Sequence, residues 1–384
     1  MNFQLDEEQE AFRAVVRSFA AAEVEPKAEA WDRDHTFPVD TVRAMGELGL
    51  FGLVFPEAYG GSGAPFSTLC IAIEEIGRAD QSLGITLSAG VGLGANPIYS
   101  FGTEEQRQRW LPDLVAGRAL GAFGLTEPDG GSDAGATRTK AVFEERAGEW
   151  VIDGSKSFIT NSGTPITSVV TVTARTGQGE ISALVVPSGT AGLVVEPPYR
   201  KLGWHASDTH GLVLDGCRVP ADHLLGEPGA GFRNFLTILD DGRVAISALA
   251  VGAAQACLDH SLDYARTRNA FGGPIGRYQA VSFALADLAV AVEAARLLTY
   301  KAAWLKEQGR PFGQAAAFAK LYATEAAVDA ARTATQVFGG YGFMDESPVA
   351  RLYRDVKVLE IGEGTSEIQR LVIARGLDLP VSTN

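Results

Sequence analysis

The chain has 384 residues, 46% of them hydrophobic and 21% charged, ordinary globular proportions at a length that accommodates two or three domains. Its 47 acidic and 33 basic residues give a formal net charge of -14, which argues against a nucleic-acid binder but leaves room for a local basic pocket. The three cysteines, Cys70, Cys217 and Cys257, are too scattered for a disulfide framework or a zinc site, so a reducing cytoplasmic setting and no metal are expected.

The opening MNFQLDEEQEAF is acidic where a secretory signal is basic and then apolar. No apolar run approaches the ~20 residues of a membrane span, so no membrane insertion is expected. From Asp6 the period is helical: Phe12, Val15, Val16 and Phe19 fall at i, i+3, i+4 and i+7, and Asp6 with Gln9 has capping-box spacing. Pro26 follows this stripe. A second helix is predicted after Pro38 to about Leu48, FPEAYGGSG reads as a loop, and helical pattern returns over Thr68–Gly77 and Glu104–Ala116.

Near Phe123 the character changes. Short β-branched runs (Trp150–Asp153, Val169–Thr173, Ile181–Val186, Leu212–Leu214) are bounded by turn residues such as Asp153-Gly154 and Asp215-Gly216, without helices between them. An antiparallel sheet domain fits better than a doubly wound one. After about Gly231 long Ala-rich helical runs cover Phe232–Arg266, Tyr278–Gln308, Pro311–Phe338 and Ser366–Leu377, the pattern of a bundle. The predicted class is mainly α with a central β domain: helical over 1–122, β over 123–230, helical bundle over 231–384.

Phosphate-loop, H-E-x-x-H, G-x-S-x-G and Rossmann signatures are all absent. Gly60, Gly61 and Gly63 follow no strand and read as a plain turn. Three other segments carry candidate chemistry. FGLTEPDGGSD, Phe123 to Asp133, sets Thr126 and Ser132 on a glycine-permitted loop that can approach a planar or anionic ligand closely, or serve as an interdomain turn. GSKSFITNSG, Gly154 to Gly163, puts the aromatic Phe158 beside small hydroxyls, suited to stacking on and bonding a flavin edge, or to a strand with a polar end. In IGEGTSEIQR, Glu363 lies between glycines ahead of a helix, with Ser366 and Gln369 at capping-box spacing. Desolvated on such a hinge, a carboxylate gains the raised pKa of a general base; exposed, it simply complements the helix dipole.

Together and in this order, these segments resemble the acyl-CoA dehydrogenase family, as do KLGWHASDT, RVPADHLLG, LDDGR, RNAFGGPIGRYQA and QVFGGYGF, over essentially the whole chain. The resemblance implies an N-terminal helical domain, a β-barrel-like middle domain and a C-terminal four-helix bundle. It implies FAD held between subunits of a homotetramer, an acyl-CoA substrate and an electron-transferring flavoprotein as acceptor. Phe123, Leu125, Thr126 and Ser132 match the flavin loop, Ser132 also lying near the thioester, and Phe158 and Thr160 match the pair that covers the ring. Arg268, Phe271, Gln279, Gln336 and Gly340 match residues that reach the neighbouring subunit's FAD, and Thr365 and Glu367 those that contact their own. Asp240, Asp241, Gly242 and Arg243 match the CoA-side segment, and Gly364 follows the base. Glu363 matches the catalytic base; relatives that move the base place it where this chain has Gly242. The resemblance also implies that the enolate oxygen is met by the Glu363 backbone N–H and a ribityl hydroxyl. Gly362 stands where straight-chain members often carry Tyr, and Ala89 where some medium-chain relatives are acidic, so both departures make room. An acyl-CoA oxidase is the alternative within the fold, although 384 residues leaves out the large C-terminal extension of typical oxidases.

Overall fold

In the computed structural model, which describes residues 4–381, the Asp6–Gln9 capping box forms as read: the Asp6 carboxylate accepts the Gln9 N–H at 2.8 Å and the Gln9 side chain accepts the Asp6 N–H at 3.2 Å. It starts α1 (Glu7–Phe19), on which Val16 is fully buried, Phe12 and Phe19 pack against the core, and Val15 points to solvent. Pro26 does not end the helical path. It occupies the first turn of α2 (Glu25–Asp34), where its missing N–H leaves no bond unmade. The remaining helices of this layer are α3 (Val39–Glu47), α4 (Phe66–Ala79), α5 (Gln81–Ala89), α6 (Asn96–Phe101) and α7 (Glu104–Val115).

The sequence pattern does not predict α5 and α6. Helix α5 is buried at every position, so it carries no amphipathic stripe, and the glycines of Gly90–Ala95 oppose helix by propensity. That stretch is a wide π turn, and a Cβ at Gly94 would stand 2.6 Å from the Gly121 carbonyl oxygen. Glycine is there so that the helical layer can touch the sheet.

The middle of the chain holds β1 (Leu120–Gly124), β2 (Lys140–Glu144), β3 (Glu149–Thr160), β4 (Thr167–Gly177), β5 (Glu180–Pro187), β6 (Leu193–Pro198), β7 (Thr209–Pro220) and β8 (Leu224–Leu225). The strand order is β6-β7-β3-β2-β4-β5-β8, with β1 alongside β4. The expected barrel does not close: β6 and β8 remain separate ends among the described residues, β8 being two residues long and β6 exposed along nearly its whole length. Pairing is mainly antiparallel as expected, but β1 runs parallel to β4 and Lys140 of β2 pairs in parallel with Arg175. Ile152, Ile159, Val172, Leu184, Val186, Leu212 and Leu214 form the sheet's own core.

The bundle comprises α8 (Gly231–Thr267), α9 (Gln279–Glu307), α10 (Gly313–Phe338), the short α11 (Pro348–Asp355) and α12 (Ser366–Gly376). The Ala-rich faces do what small side chains permit, a close approach of backbones: Ala316, Ala319, Ala323, Ala327, Ala330 and Ala334 of α10 are all fully buried. One contiguous apolar core runs from α1 through the bundle. No described helix is long and apolar enough to cross a membrane, and all three cysteines are buried and free.

Candidate active site

Glu363 and Gly364 form a left-handed hinge before α12, with φ of 55° and 88°. A non-glycine residue held there costs on the order of 1–3 kcal/mol and needs surroundings that fix it. Lys320 Nζ donates to the Gly364 carbonyl at 2.7 Å, and Gln369 Nε2 donates to the same carbonyl at 2.9 Å and to that of Glu363 at 3.3 Å. The expected Ser366–Gln369 capping box is therefore not the cap. Thr365 is the N-cap, its hydroxyl accepting the Ile368 N–H at 3.3 Å, while Gln369 turns back to bind the hinge.

The Glu363 side chain points at α8. A Cβ on Gly242 would stand 2.7 Å from Glu363 Oε2 and 3.2 Å from its Cδ, so the carboxylate occupies space that only glycine leaves. Glu363 is half-buried as a residue, yet Oε2 is closed off from solvent and has no hydrogen-bond partner. Burial pushes its carboxyl pKa up, and Arg243 and Lys320 only partly oppose this. The backbone N–H of Glu363 likewise makes no hydrogen bond among the described residues. On the same turn of α8, Arg243 Nη1 donates to Asp240 Oδ1 at 2.5 Å, and Lys306 Nζ donates to Asp241 Oδ1 at 2.6 Å. Of Asp240, Asp241, Gly242 and Arg243, the last two face Glu363, whereas Asp241 is engaged with Lys306 and Asn96.

The flavin-loop candidates lie where β1 meets the start of α8. Phe123 stacks on Phe235, centroids 5.1 Å apart, in an apolar cluster with Ile238, Leu125, Leu93 and Leu239. Beyond it, Glu127 is buried and accepts from the Arg138 and Thr139 N–H groups at 2.6 and 3.0 Å and from Lys156 Nζ at 2.7 Å. Lys156 also donates to the Leu125 carbonyl at 3.2 Å, which ties the loop to β3. A shift in the β3–β7 register between Lys156 and Ile159 re-aims Phe158, whose φ is 62° and whose side chain is 65% exposed, tilted against Tyr199. Ser132 is exposed, Thr126 and Thr160 are half-buried, and none of the three hydroxyls has a partner among the described residues.

The other candidates are elsewhere. Arg268 follows Gly242 by 26 residues along α8, about 39 Å at ~1.5 Å per residue. It lies over the Tyr341 ring, 5.6 Å from the centroid, in a cavity of about 520 Å³ lined also by Tyr264, Phe338, Gly340 and Met344. Phe271 is 91% exposed with φ of 48°, and Gln279, Gln336 and Gly340 are exposed. Within one chain these residues do not meet Glu363. Thr365 caps α12, and Glu367 is exposed on its first turn.

Family models of the N-terminal, middle and C-terminal domains of acyl-CoA dehydrogenases match residues 6–118, 122–217 and 229–377. The chain belongs to the acyl-CoA dehydrogenase family. It is 52% identical over 380 residues to a probable acyl-CoA dehydrogenase of Bacillus subtilis, covering 98% of this chain and 100% of that one. It is 45% identical to the mitochondrial short-chain specific acyl-CoA dehydrogenase of Mus musculus, covering 97% and 90%. The butyryl-CoA dehydrogenase structure from Megasphaera elsdenii superposes with a TM-score of 0.95 at 39% identity, covering 98% and 100%. As an acyl-CoA dehydrogenase the protein is an FAD-dependent oxidoreductase.

The residues present fit FAD. A planar ring system needs an exposed aromatic face, and Phe158 is held out of the sheet by a bulge; a polyhydroxylated chain needs free polar groups, and Thr126, Ser132 and Thr160 leave theirs unbonded. Sequence reasoning assigned no role to Lys156, Glu127 or Lys320, and placed Gln369 in a capping box. A signal was available for Lys320, a lysine inside the apolar helical AFAKLYA that is fully buried; Lys156, flanked by serines, carried no such signal although it is 1% exposed.

Proposed function

We propose that this acyl-CoA dehydrogenase acts on short acyl chains, with Glu363 removing the α-proton, and that it tolerates branching near the reacting carbons. The observation that carries the reading is the enclosed, unbonded Glu363 Oε2 facing the gap left by Gly242. An α-proton of a thioester is weakly acidic, and a carboxylate raised by burial is matched to taking it near neutral pH. The unpaired Glu363 N–H is available to the enolate oxygen. Phe123, Phe235 and Ile238 would exclude water. Thr126, Ser132, Phe158 and Thr160 would hold the flavin, and the α8 turn Asp240–Arg243 the CoA side of the substrate. When bound, FAD supplies the acceptor for the hydride that leaves the β carbon.

Gly362 supports the breadth of substrate. Its φ is not left-handed and a Cβ there would meet only the Val358 carbonyl, at 3.6 Å, so the backbone does not require glycine and its absent side chain is free width. Ala89, by analogy, offers depth, which favours longer chains; width beside the reacting carbons decides first, because crowding there misplaces the reacting atoms. One methylene is worth only ~1–3 kcal/mol of discrimination, so a broad preference around four to six carbons follows.

The proposed assembly is a homotetramer in which Arg268, Phe271, Gln279, Gln336 and Gly340 serve a neighbour's FAD, while Thr365 and Glu367 contact their own. Two features support it: the ~39 Å of α8 between Gly242, which faces Glu363, and Arg268, and an exposed apolar stripe on α9 at every seventh residue, Phe283, Val290, Leu297 and Trp304. A cytoplasmic location and an electron-transferring flavoprotein as acceptor complete the reading. Anaerobic addition of butyryl-CoA to purified holoenzyme tests it: the flavin colour should bleach, a trans-2-enoyl-CoA should form, and air should restore the colour slowly. No bleaching with any short acyl-CoA would refute the substrate class, and rapid reoxidation in air would make the protein an oxidase.

A further inference from the structure

Lys320 is fully buried on the Ala-rich face of α10, beside Ala316, Ala317, Ala319 and Ala323. An ammonium there is costly unless it is compensated. Yet among the described residues no carboxylate lies within ion-pair distance of it, and of its three donors one is used, to the Gly364 carbonyl at 2.7 Å. Burial lowers its pKa to about 8, and Glu363 is the largest influence keeping it charged.

We propose that Lys320 is a positioning residue for Glu363: it holds the left-handed Glu363–Gly364 turn by the Gly364 carbonyl and supplies the uncompensated positive charge that the carboxylate faces. This rests on Glu363 being the base. Two positive groups oppose the burial of Glu363, and Lys320 is the one with no carboxylate partner of its own. Arg243, on α8, is the larger influence but is paired with Asp240 at 2.5 Å. Glu360 precedes the hinge and Glu367 follows it on α12, both negative. Gln369 donates to the same Gly364 carbonyl without a charge, so a neutral donor is already present for the turn's geometry. What Lys320 adds is a second positive charge, after Arg243, opposing the burial that pushes the Glu363 carboxyl up.

The test is the pH dependence of kcat/KM for butyryl-CoA in the FAD-loaded enzyme. Lys320→Met should retain FAD and move the acid limb up by about one pH unit, cutting activity ~10-fold below the limb and restoring it at alkaline pH. Lys320→Arg keeps the charge and should keep the limb. Gln369→Leu removes a donor but no charge, and should lower kcat at every pH with the limb in place. An unmoved limb in Lys320→Met overturns the proposal. If Lys320→Met does not fold, Lys320→Gln carries the same expectation; if neither folds with FAD, Lys320 is a folding residue and the proposal fails. Glu363→Gln in the same buffers separates the two layers. Inactive Glu363→Gln with an unmoved Lys320→Met limb removes only the role of Lys320, whereas an active Glu363→Gln removes the base as well.

Discussion

Gly242→Ala separates the stability of this fold from its chemistry. Gly242 lies inside α8 with an ordinary helical φ, so alanine should favour the helix by up to ~1 kcal/mol. The added Cβ would stand 2.7 Å from Glu363 Oε2, the free end of a side chain that can rotate away. Relief to van der Waals distance takes a retreat of roughly 0.7 Å, which costs the fold little. It costs the reaction more: a misplacement of ~1 Å is worth about 10²-fold in rate, so ~0.7 Å is worth about 25-fold. The expected variant binds FAD, melts at or above the wild-type temperature, and bleaches with butyryl-CoA about 25-fold more slowly. Wild-type bleaching at wild-type or higher stability would refute the reasoning, because the carboxylate would then have no catalytic position to lose.

Other consequences are equally direct. Arg268→Ala should weaken FAD retention, measured by flavin fluorescence after gel filtration, and dilution to monomers should release flavin; a monomer with stoichiometric FAD would contradict the shared site. Gly362→Tyr should cut kcat/KM for isovaleryl-CoA more than for butyryl-CoA in a panel that includes hexanoyl- and palmitoyl-CoA. Equal losses, or a wild-type optimum at palmitoyl-CoA, would contradict the width argument. Asp355 is 1% exposed, accepts the Trp204 N–H at 2.6 Å, and is pushed by burial to about 7. A folded value above the unfolded 3.8 means that stability is complete below about pH 4 and lost as pH rises through about 7. Asp355→Asn should therefore raise the melting temperature more at pH 8 than at pH 5; an equal gain at both would show that Asp355 is ionised in the folded protein across this range, with no raised pKa.

The helices that carry a one-sided apolar stripe were legible, from α1 with its Asp6 cap to the long α8, α9 and α10, because burial on one face writes a 3.6-residue period into the chain. Helix α5 was not, since burial on every side erases that period, and the parallel β1–β4 pairing leaves no local mark at all. At the site, the glycine-flanked Glu363 was visible as a carboxylate on a hinge. That its Oε2 presses into the gap at Gly242, 121 residues earlier in the chain, is a tertiary fact that spacing cannot encode. The Ser366–Gln369 spacing misled for the same reason: a glutamine at a capping position found a better partner in the strained hinge carbonyls. Lys320 sits in an apolar helical pattern while Lys156 and Glu127 sit in polar, glycine- and serine-rich segments, and only the packed structure reveals what each lysine holds.

The central claim is that Glu363 takes the α-proton, and one substitution addresses it. Glu363→Gln keeps the side chain's size and the hinge, but cannot accept a proton. Mixed anaerobically with butyryl-CoA, the FAD-loaded variant should bleach at least ~10²-fold more slowly than wild type while retaining its full flavin content. Bleaching at a near-native rate would contradict the assignment and return the role of base to another group.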